Sequence, residues 1–339
     1  MASSRKSPST EARKSPATGE ARQAPDIGAL PAALEQCLAR HVLPGQRIVL
    51  GLSGGIDSVS LLHALAAEAR DSAWTLAALH VHHGLSPHAD AWEGFCRDAC
   101  ARLRVEFDSV RVCVERNAAD GLEAAARRAR HSAFAAAAGD WIMLAQHRDD
   151  QAETLLFNLL RGAGLAGAAA MCERNGRLLR PLLGLGRDAI AAYAAAHALA
   201  WVDDESNADI RHTRNFLRLR ILPELEGRFP AAAKNLAGAS LRFAAALDLL
   251  DELACADLGT ERDFPLSLAR LQGLSETRAG NALRYLLARR QVMIPSEARL
   301  REALRQMREA GPDRHPALRF GAYRLLRRRG YIYLESAEG

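Results

Sequence analysis

One short turn constrains the fold more than any other part of the chain. An apolar run at 47–52 stops at Ser53-Gly54-Gly55-Ile56-Asp57-Ser58, and a helical pattern over 59–70 follows at once. A buried strand passing through a glycine-rich turn into a helix begins a βαβ unit, with the turn at the carboxyl end of the strand, where such sheets bind ligands. Glycines let the backbone approach an anion, and the unpaired N–H groups of a helix start point at it, so the turn suits phosphate. Ser53 and Ser58 add hydroxyl donors. Asp57 would repel a bare phosphate, which makes sense if a Mg²⁺ bridges the two negative charges with Asp57 as a ligand. An ordinary strand-to-helix turn needs one capping residue. This one carries three, together with two glycines.

The alternation continues on both sides. A helix is expected over 30–42, then strands at 76–82, 105–113 and 141–145, interleaved with helices at 91–102, 122–138 and 151–161. Strands separated by helices of this length predict an α/β fold, a parallel sheet flanked by helices, over residues 29–228. Residues 211–258 read as almost wholly helical with breaks at Pro223 and Pro230, and 229–258 as a helical linker. The remainder, 259–335, reads as a smaller α+β domain closed by strands at 318–326 and 331–335, with Arg327, Arg328 and Arg329 at an exposed turn beside Gly330. Residues 1–28 hold a near repeat, RKSPSTEAR then RKSPATGEAR, and read as a disordered tail.

Composition narrows the function classes. No run approaches the roughly eighteen apolar residues of a membrane span, and the N-terminal segment lacks an apolar signal core, so a cytoplasmic protein without a membrane partner is expected. The net charge of +5 is unevenly placed, with fifteen arginines against five acidic residues in 270–330. That excess is the footprint of a polyanion partner. Six cysteines occur without a C-x-x-C pair; Cys96 and Cys100 read as small core residues, and no structural metal is expected. No G-x-x-x-x-G-K-[ST] occurs, and the G-x-G-x-x-G match at 162–167 follows a helix instead of a strand, so neither a Walker loop nor a Rossmann dinucleotide site is indicated. His80, His82, His83 and His147 lie at strand ends without a compact ligand set, and polar contacts to a nucleotide or base are expected there in preference to zinc.

Asp149-Asp150-Gln151-Ala152-Glu153 opens a helix after a strand, and Asp150 and Glu153, three apart, share one face. A parallel sheet puts this helix start on the same edge as the SGGIDS turn, so Asp57, Asp150 and Glu153 are expected to converge on one metal or one cationic substrate.

Several motifs in order resemble the tRNA(Ile)-lysidine synthetase family of the PP-loop ATP pyrophosphatase group: SGGIDS at 53–58, LHVHHGLSPHADAW at 79–92, EAAARRARHSAF at 123–134, HRDDQAETLLFNLLRGAG at 147–164, RPLLGLGRDAI at 180–190 and WVDDESNADIRHTRNFLRLRILP at 201–223. The resemblance covers about residues 30–335 and implies an adenine nucleotide alpha-hydrolase-like fold. It also implies ATP and Mg²⁺ as cofactors, L-lysine and a tRNA(Ile) with a CAU anticodon as partners, and a C-terminal tRNA-binding domain at 259–335; a homodimer stays open. The implied reaction adenylates the wobble cytidine at O2 and then displaces AMP with the lysine ε-amine. On this reading Ser53, Gly54, Gly55, Ile56, Asp57 and Ser58 bind the nucleotide, and Asp57, Asp150 and Glu153 are catalytic. Asp57 and Asp150 hold Mg²⁺, and Arg127, Arg130, Arg211, Arg214 and Asn215 bind substrate. Gln146 departs from the pattern, standing where members carry the first histidine of a pair. The chain also resembles the shorter, two-domain members. Rival readings are a PP-loop tRNA thiolase, which would use paired cysteines to carry sulfur, and a non-catalytic RNA-binding regulator that keeps a nucleotide pocket.

Overall fold

The computed structural model describes residues 26–115, 121–292, 296–311 and 314–337, so the expected tail lies almost entirely outside the described residues. Helix α1 (Ala29–His41) leads to β1 (Arg47–Gly51), α2 (Ile56–Glu68), β2 (Thr75–His82), α3 (Ala89–Leu103) and β3 (Glu106–Arg111). Next come α4 (Leu122–Ala136), β4 (Trp141–Met143), α5 (Arg148–Leu160), the short α6 (Leu165–Ala168), β5 (Arg174–Asn175), β6 (Leu178–Leu179) and α7 (Arg187–Ala196). The first sheet runs β3-β2-β1-β4-β6-β5, parallel except for the β5–β6 pair. The chain builds outward from β1 on one side and returns to β4 on the other. A crevice therefore opens between β1 and β4 at their carboxyl ends, the switch point where such sheets bind ligands.

Strand alternation explains why β1 is central. Ile48 and Leu50 face one way, into a core with Leu34, Leu61, Leu65 and Ile190 from α1, α2 and α7. Val49 faces the other way, packing with Leu79, Ile142 and Phe134 of α4. The strands β5 and β6 have no counterpart in the sequence reading, because two residues leave no periodicity to read. Helix α2 starts at Ile56, three residues earlier than expected, so half of the SGGIDS segment is its first turn.

Beyond Trp201 the chain forms α8 (Thr213–Phe216), a π-turn (Leu217–Ile221), α9 (Leu222–Arg228) and the 27-residue α10 (Ala232–Leu258). Pro223 does not break the helical run as expected. It stands at the start of α9, where its missing N–H is tolerated, directly after the wider π-turn. Pro230 does separate α9 from α10. Helix α10 packs at its start on α5, with Ala233 and Leu236 against Ala152 and Leu156.

The last segment contains β7 (Leu266–Ser267), α11 (Leu268–Gln272), α12 (Glu276–Arg289), α13 (Glu297–Glu309), β8 (Ala317–Phe320), β9 (Tyr323–Arg328) and β10 (Tyr331–Ser336). Its antiparallel sheet, β7-β10-β9-β8, shares a core with α12 and α13 through Leu283, Leu287, Leu304, Leu325 and Ile332. The single strand expected at 318–326 is two strands, reversed at Gly321 with φ of 59°. Arg329 and Gly330, at φ of 48° and 78°, turn β9 into β10. A turn with positive φ at both central residues matches the twist of a hairpin. Arg327 is not at an exposed turn: it lies within β9 and donates to the carbonyls of Met307 and Ala310 at the end of α13. Among the described residues, no helix is long and apolar enough to cross a membrane.

Candidate active site

The SGGIDS turn is braced by its own hydroxyls. Ser58 Oγ donates to Gly55 O at 3.0 Å, lies 3.0 Å from Ser53 Oγ, and accepts the Ser53 N–H at 3.3 Å. Both serines are thus engaged with the loop, and what the turn offers an anion is the unpaired N–H row of α2's first turn, at Ile56, Asp57 and Ser58. Gly54 is required twice over. Its φ is +88°, and a Cβ there would come within 2.8 Å of Val202 Cγ2. The Gly54 carbonyl also accepts the Val202 N–H at 3.0 Å, pinning the turn against the segment before α8.

Across the crevice, α5 starts at His147, which is 5 % exposed. Its ring is surrounded by carboxylates: Asp149 Oδ2 at 3.4 Å from Nδ1, and Asp150 Oδ2 and Asp57 Oδ2 at 3.5 and 3.7 Å from Nε2. Burial opposes a charge on the ring, but the close carboxylates of Asp149, Asp57 and Asp150 outweigh it and push the pKa up to about 10. Nδ1 also faces the Asp149 backbone N–H at 3.3 Å, a contact only a neutral ring can accept. With the carboxylates on both edges of the ring, the charged form prevails. Asp150 Oδ2 accepts the His147 N–H at 3.0 Å and Asp149 Oδ2 the Arg187 N–H at 2.8 Å, so both carboxylates are held in place. Asp57 Oδ1 is buried with no hydrogen-bond partner among the described residues. A buried carboxylate oxygen without a partner is costly, and Asp57 and Asp150 offer the hard oxygen donors that Mg²⁺ takes, but the hub as it stands does not have the close mutual spacing of a metal-ligand set.

Glu153 is not part of this hub. It is 6 % exposed and meets Arg214 Nη1 at 3.1 Å, with burial pushing its carboxyl above the usual range. Arg214 also faces Glu123 at 3.8 Å. Around this pair lies a basic cluster from four parts of the chain. Arg127 and Arg130 on α4 make no hydrogen bond or ion pair among the described residues; burial, followed by repulsion from neighbouring guanidinium groups including Arg214, lowers both. They remain charged. His83, beyond β2, is held down at about 4 by burial and by Arg130, and His131 is lowered by burial and by Arg127, Arg130 and Arg180. Glu123 offsets the lowering of both Arg127 and Arg130 in part, and Glu153 that of Arg127, but neither arginine closes an ion pair among the described residues, and half-buried guanidinium groups left so suit an anion.

Other expected residues sit differently. Arg211 is exposed and closes on Asp209 at 2.7 Å, while Asn215 Nδ2 donates to Asp209 O at 3.0 Å and braces that loop. The four histidines do not form one ligand set: His80 Nδ1 donates to Leu52 O, and His82 faces Asp90. Two groups have metal-like spacing, Cys37/His41/Glu173 and His82/Asp90/Glu93, but each already holds an arginine, Arg40 and Arg111 respectively. Sequence reasoning missed His147 as the hub and Arg180 as part of the basic cluster. The signal available was position alone: each follows a parallel strand on the ligand edge.

Residues 30–225 match the family model described as the PP-loop domain, and residues 266–333 the model described as the TilS substrate binding domain. The chain is 48 % identical over 275 residues to a tRNA(Ile)-lysidine synthase of Aromatoleum aromaticum, covering 80 % of this chain and 65 % of the relative. It is 44 % identical over 289 residues to that of Nitrosomonas europaea, covering 82 % and 62 %. With that of Alkalilimnicola ehrlichii the values are 42 % over 314 residues, 90 % and 71 %. The chain thus spans just under two thirds of the length of the first two of these relatives. Among solved structures, a U34-tRNA thiolase, NcsA from Methanococcus maripaludis with its [4Fe-4S] cluster, superposes with a TM-score of 0.52 at 18 % identity, over 64 % of this chain and 78 % of that one. That likeness concerns the fold alone.

In protein stripped of metal by EDTA, the His147 ring is expected to stay charged through neutral pH and lose its proton near pH 10. Because the folded value lies above the ordinary 6.5, the stability this charge confers is complete below that pH and is lost as pH rises through about 10. NMR of the ring resonances against pH reads this directly. A titration near 6.5 would mean that the carboxylates do not enclose the ring.

Proposed function

The chain belongs to the tRNA(Ile)-lysidine synthase family, and from that premise we propose that it ligates lysine to C2 of the wobble cytidine of a tRNA(Ile) with a CAU anticodon, consuming ATP and releasing AMP and pyrophosphate in the cytoplasm. The observation that carries this reading is the opposition of two clusters at the switch point: an acidic hub of Asp57, Asp149 and Asp150 around His147, and unpaired Arg127 and Arg130. Phosphoryl chemistry asks for both, since a triphosphate needs cationic donors and a metal needs carboxylates.

In the first step cytidine O2 bonds to the α-phosphorus and the bond to pyrophosphate breaks. In the second the lysine ε-amine bonds to C2, and AMP leaves with that oxygen. Residues 53–58 hold the phosphates through the α2 N–H row, and Arg127 and Arg130 take up the charge that gathers on the departing pyrophosphate. Asp57 and Asp150 would hold Mg²⁺, which supplies charge neutralisation at the phosphate oxygens. The lysine ammonium is drawn to the acidic first turns of α5, where Asp150 and Glu153 share one face. Glu153, raised by burial, accepts a proton as the amine becomes a nucleophile, and Arg214 orients it. Arg211 and Asn215 serve the tRNA side, the first as a phosphate contact and the second by shaping the loop.

Radiolabelled ATP is expected to yield AMP and pyrophosphate only when lysine and the CAU tRNA are both present. Asp57→Ala and Asp150→Asn should each lower turnover by at least on the order of 10²-fold with unchanged circular dichroism. ADP as the product would refute the proposal, and near-native rates would remove these residues from the site.

Residues 259–335 serve, on this proposal, as a tRNA platform. Several of its arginines are internally paired, as in Arg284–Glu297, Arg290–Asp263 and Arg305 with Glu302 and Glu309. Exposed Arg328 and Arg329 are better probes than Arg327, which caps α13. Replacing these two with Ala should flatten the fall of log tRNA affinity with log salt by about 0.7 to 0.9 for each phosphate no longer neutralised, leaving ATP affinity unchanged. An unchanged slope would move tRNA recognition elsewhere.

A further inference from the structure

Gln146 stands at the carboxyl end of the sheet, between β4 and His147. Its Oε1 accepts the Nε–H of Arg180 at 2.7 Å, and Arg180 Nη1 donates to Cys172 O at 2.9 Å. Two bonds from one guanidinium fix its plane. Arg180 is only 5 % exposed, and its partners are both neutral carbonyl oxygens. Nη2 has no partner among the described residues, nor does the amide nitrogen of Gln146. Burial lowers the Arg180 pKa, and Arg127 is near enough to lower it further; His131 in turn feels Arg127, Arg130 and Arg180. A buried cation held by neutral acceptors, with Arg127 near it and Arg130 across the shared neighbour His131, keeps its charge available for an anion from outside the protein.

We propose that Gln146 is a positioning residue: it holds Arg180 by Nε so that its free edge, with the glutamine N–H beside it, joins Arg127 and Arg130 in a cradle for the pyrophosphate portion of ATP. This rests on the functional reading above. The amide suits this position chemically, and histidine is the substitution that would keep its pairing. A neutral imidazole offers one acceptor and one N–H, and a primary amide offers the same pair while remaining neutral. A carboxylate at this position would hold Arg180 equally well but neutralise its charge.

That difference supplies the test. Inorganic pyrophosphate is titrated by calorimetry into the wild-type protein and into Gln146→Leu, Gln146→Glu and Gln146→His, with thermal unfolding and the ATP and tRNA affinities recorded for each. Gln146→Leu should weaken pyrophosphate binding by on the order of tenfold or more, and Gln146→His should stay near wild type. The deciding variant is Gln146→Glu, which should unfold at or above the wild-type temperature yet bind pyrophosphate and ATP on the order of tenfold more weakly. Wild-type pyrophosphate affinity in Gln146→Glu would reduce Gln146 to a structural role and overturn the proposal. Losses confined to tRNA would overturn it too, because the anion would then be an RNA phosphate. Should Gln146→Leu not fold, the Glu and His variants still decide. Failure of the wild-type protein to release AMP would count against the ligase reading, whereas the pyrophosphate titration reads Gln146 on its own.

Discussion

Opposite charges concentrated at one edge of a buried sheet, joined there by the Glu153–Arg214 pair, are what the rest of this structure serves. Carboxylates from α2 and α5 crowd one imidazole, while guanidinium groups from α4 and from the segment after β6 crowd one another. Either cluster alone would be costly to hold together. The parallel sheet makes them tolerable by anchoring each contributing backbone: β1 is buried on both faces, the Gly54 carbonyl is tied to Val202, and α5 begins with its own side chains closing its first turn. In the proposed reaction such an edge would receive ligands of both signs, a metal-bound polyphosphate beside a cationic amine.

The same logic links the two parts of the chain. Helix α10 begins against α5, the helix that carries Asp150 and Glu153, and ends at α12, where Asn281 donates to Leu250 O and Arg278 pairs with the buried Asp257. The segment described as substrate-binding in relatives is therefore attached to the acidic helix through one continuous rigid element. Several arginines of that segment are paired with its own acidic groups, so the excess charge resides on the remaining ones. Its usable field is narrower than the number of arginines implies.

The architecture was largely legible because it is written in periodicity. Residues 47–52 alternate between two cores, the helices show amphipathic spacing, and a glycine pair between strand and helix has few other uses. The site was legible in its parts but not in its pairings. Asp150 and Glu153 do share a face of α5, yet Asp150 turns to His147 and Glu153 to Arg214, a division set by what the rest of the fold places at each end of that face. Arg180 gave no local cue, since its role depends on Gln146 across two strands' ends. Pro223 and Arg327 misled for related reasons: a π-turn absorbed the first, and the end of α13 claimed the second.

The central claim is that the acidic hub and the arginine cluster act on one substrate set, ATP, lysine and a cytidine. The most direct measurement is mass spectrometry of nucleosides from a CAU-anticodon tRNA(Ile) incubated with the protein, ATP, Mg²⁺ and lysine carrying a heavy-isotope ε-nitrogen. The account predicts that the wobble cytidine is replaced by a nucleoside that contains the whole lysine and its labelled nitrogen, and that this product is lost on omission of ATP. Unmodified cytidine in the full mixture, or a sulfur-containing base at that position, would contradict it.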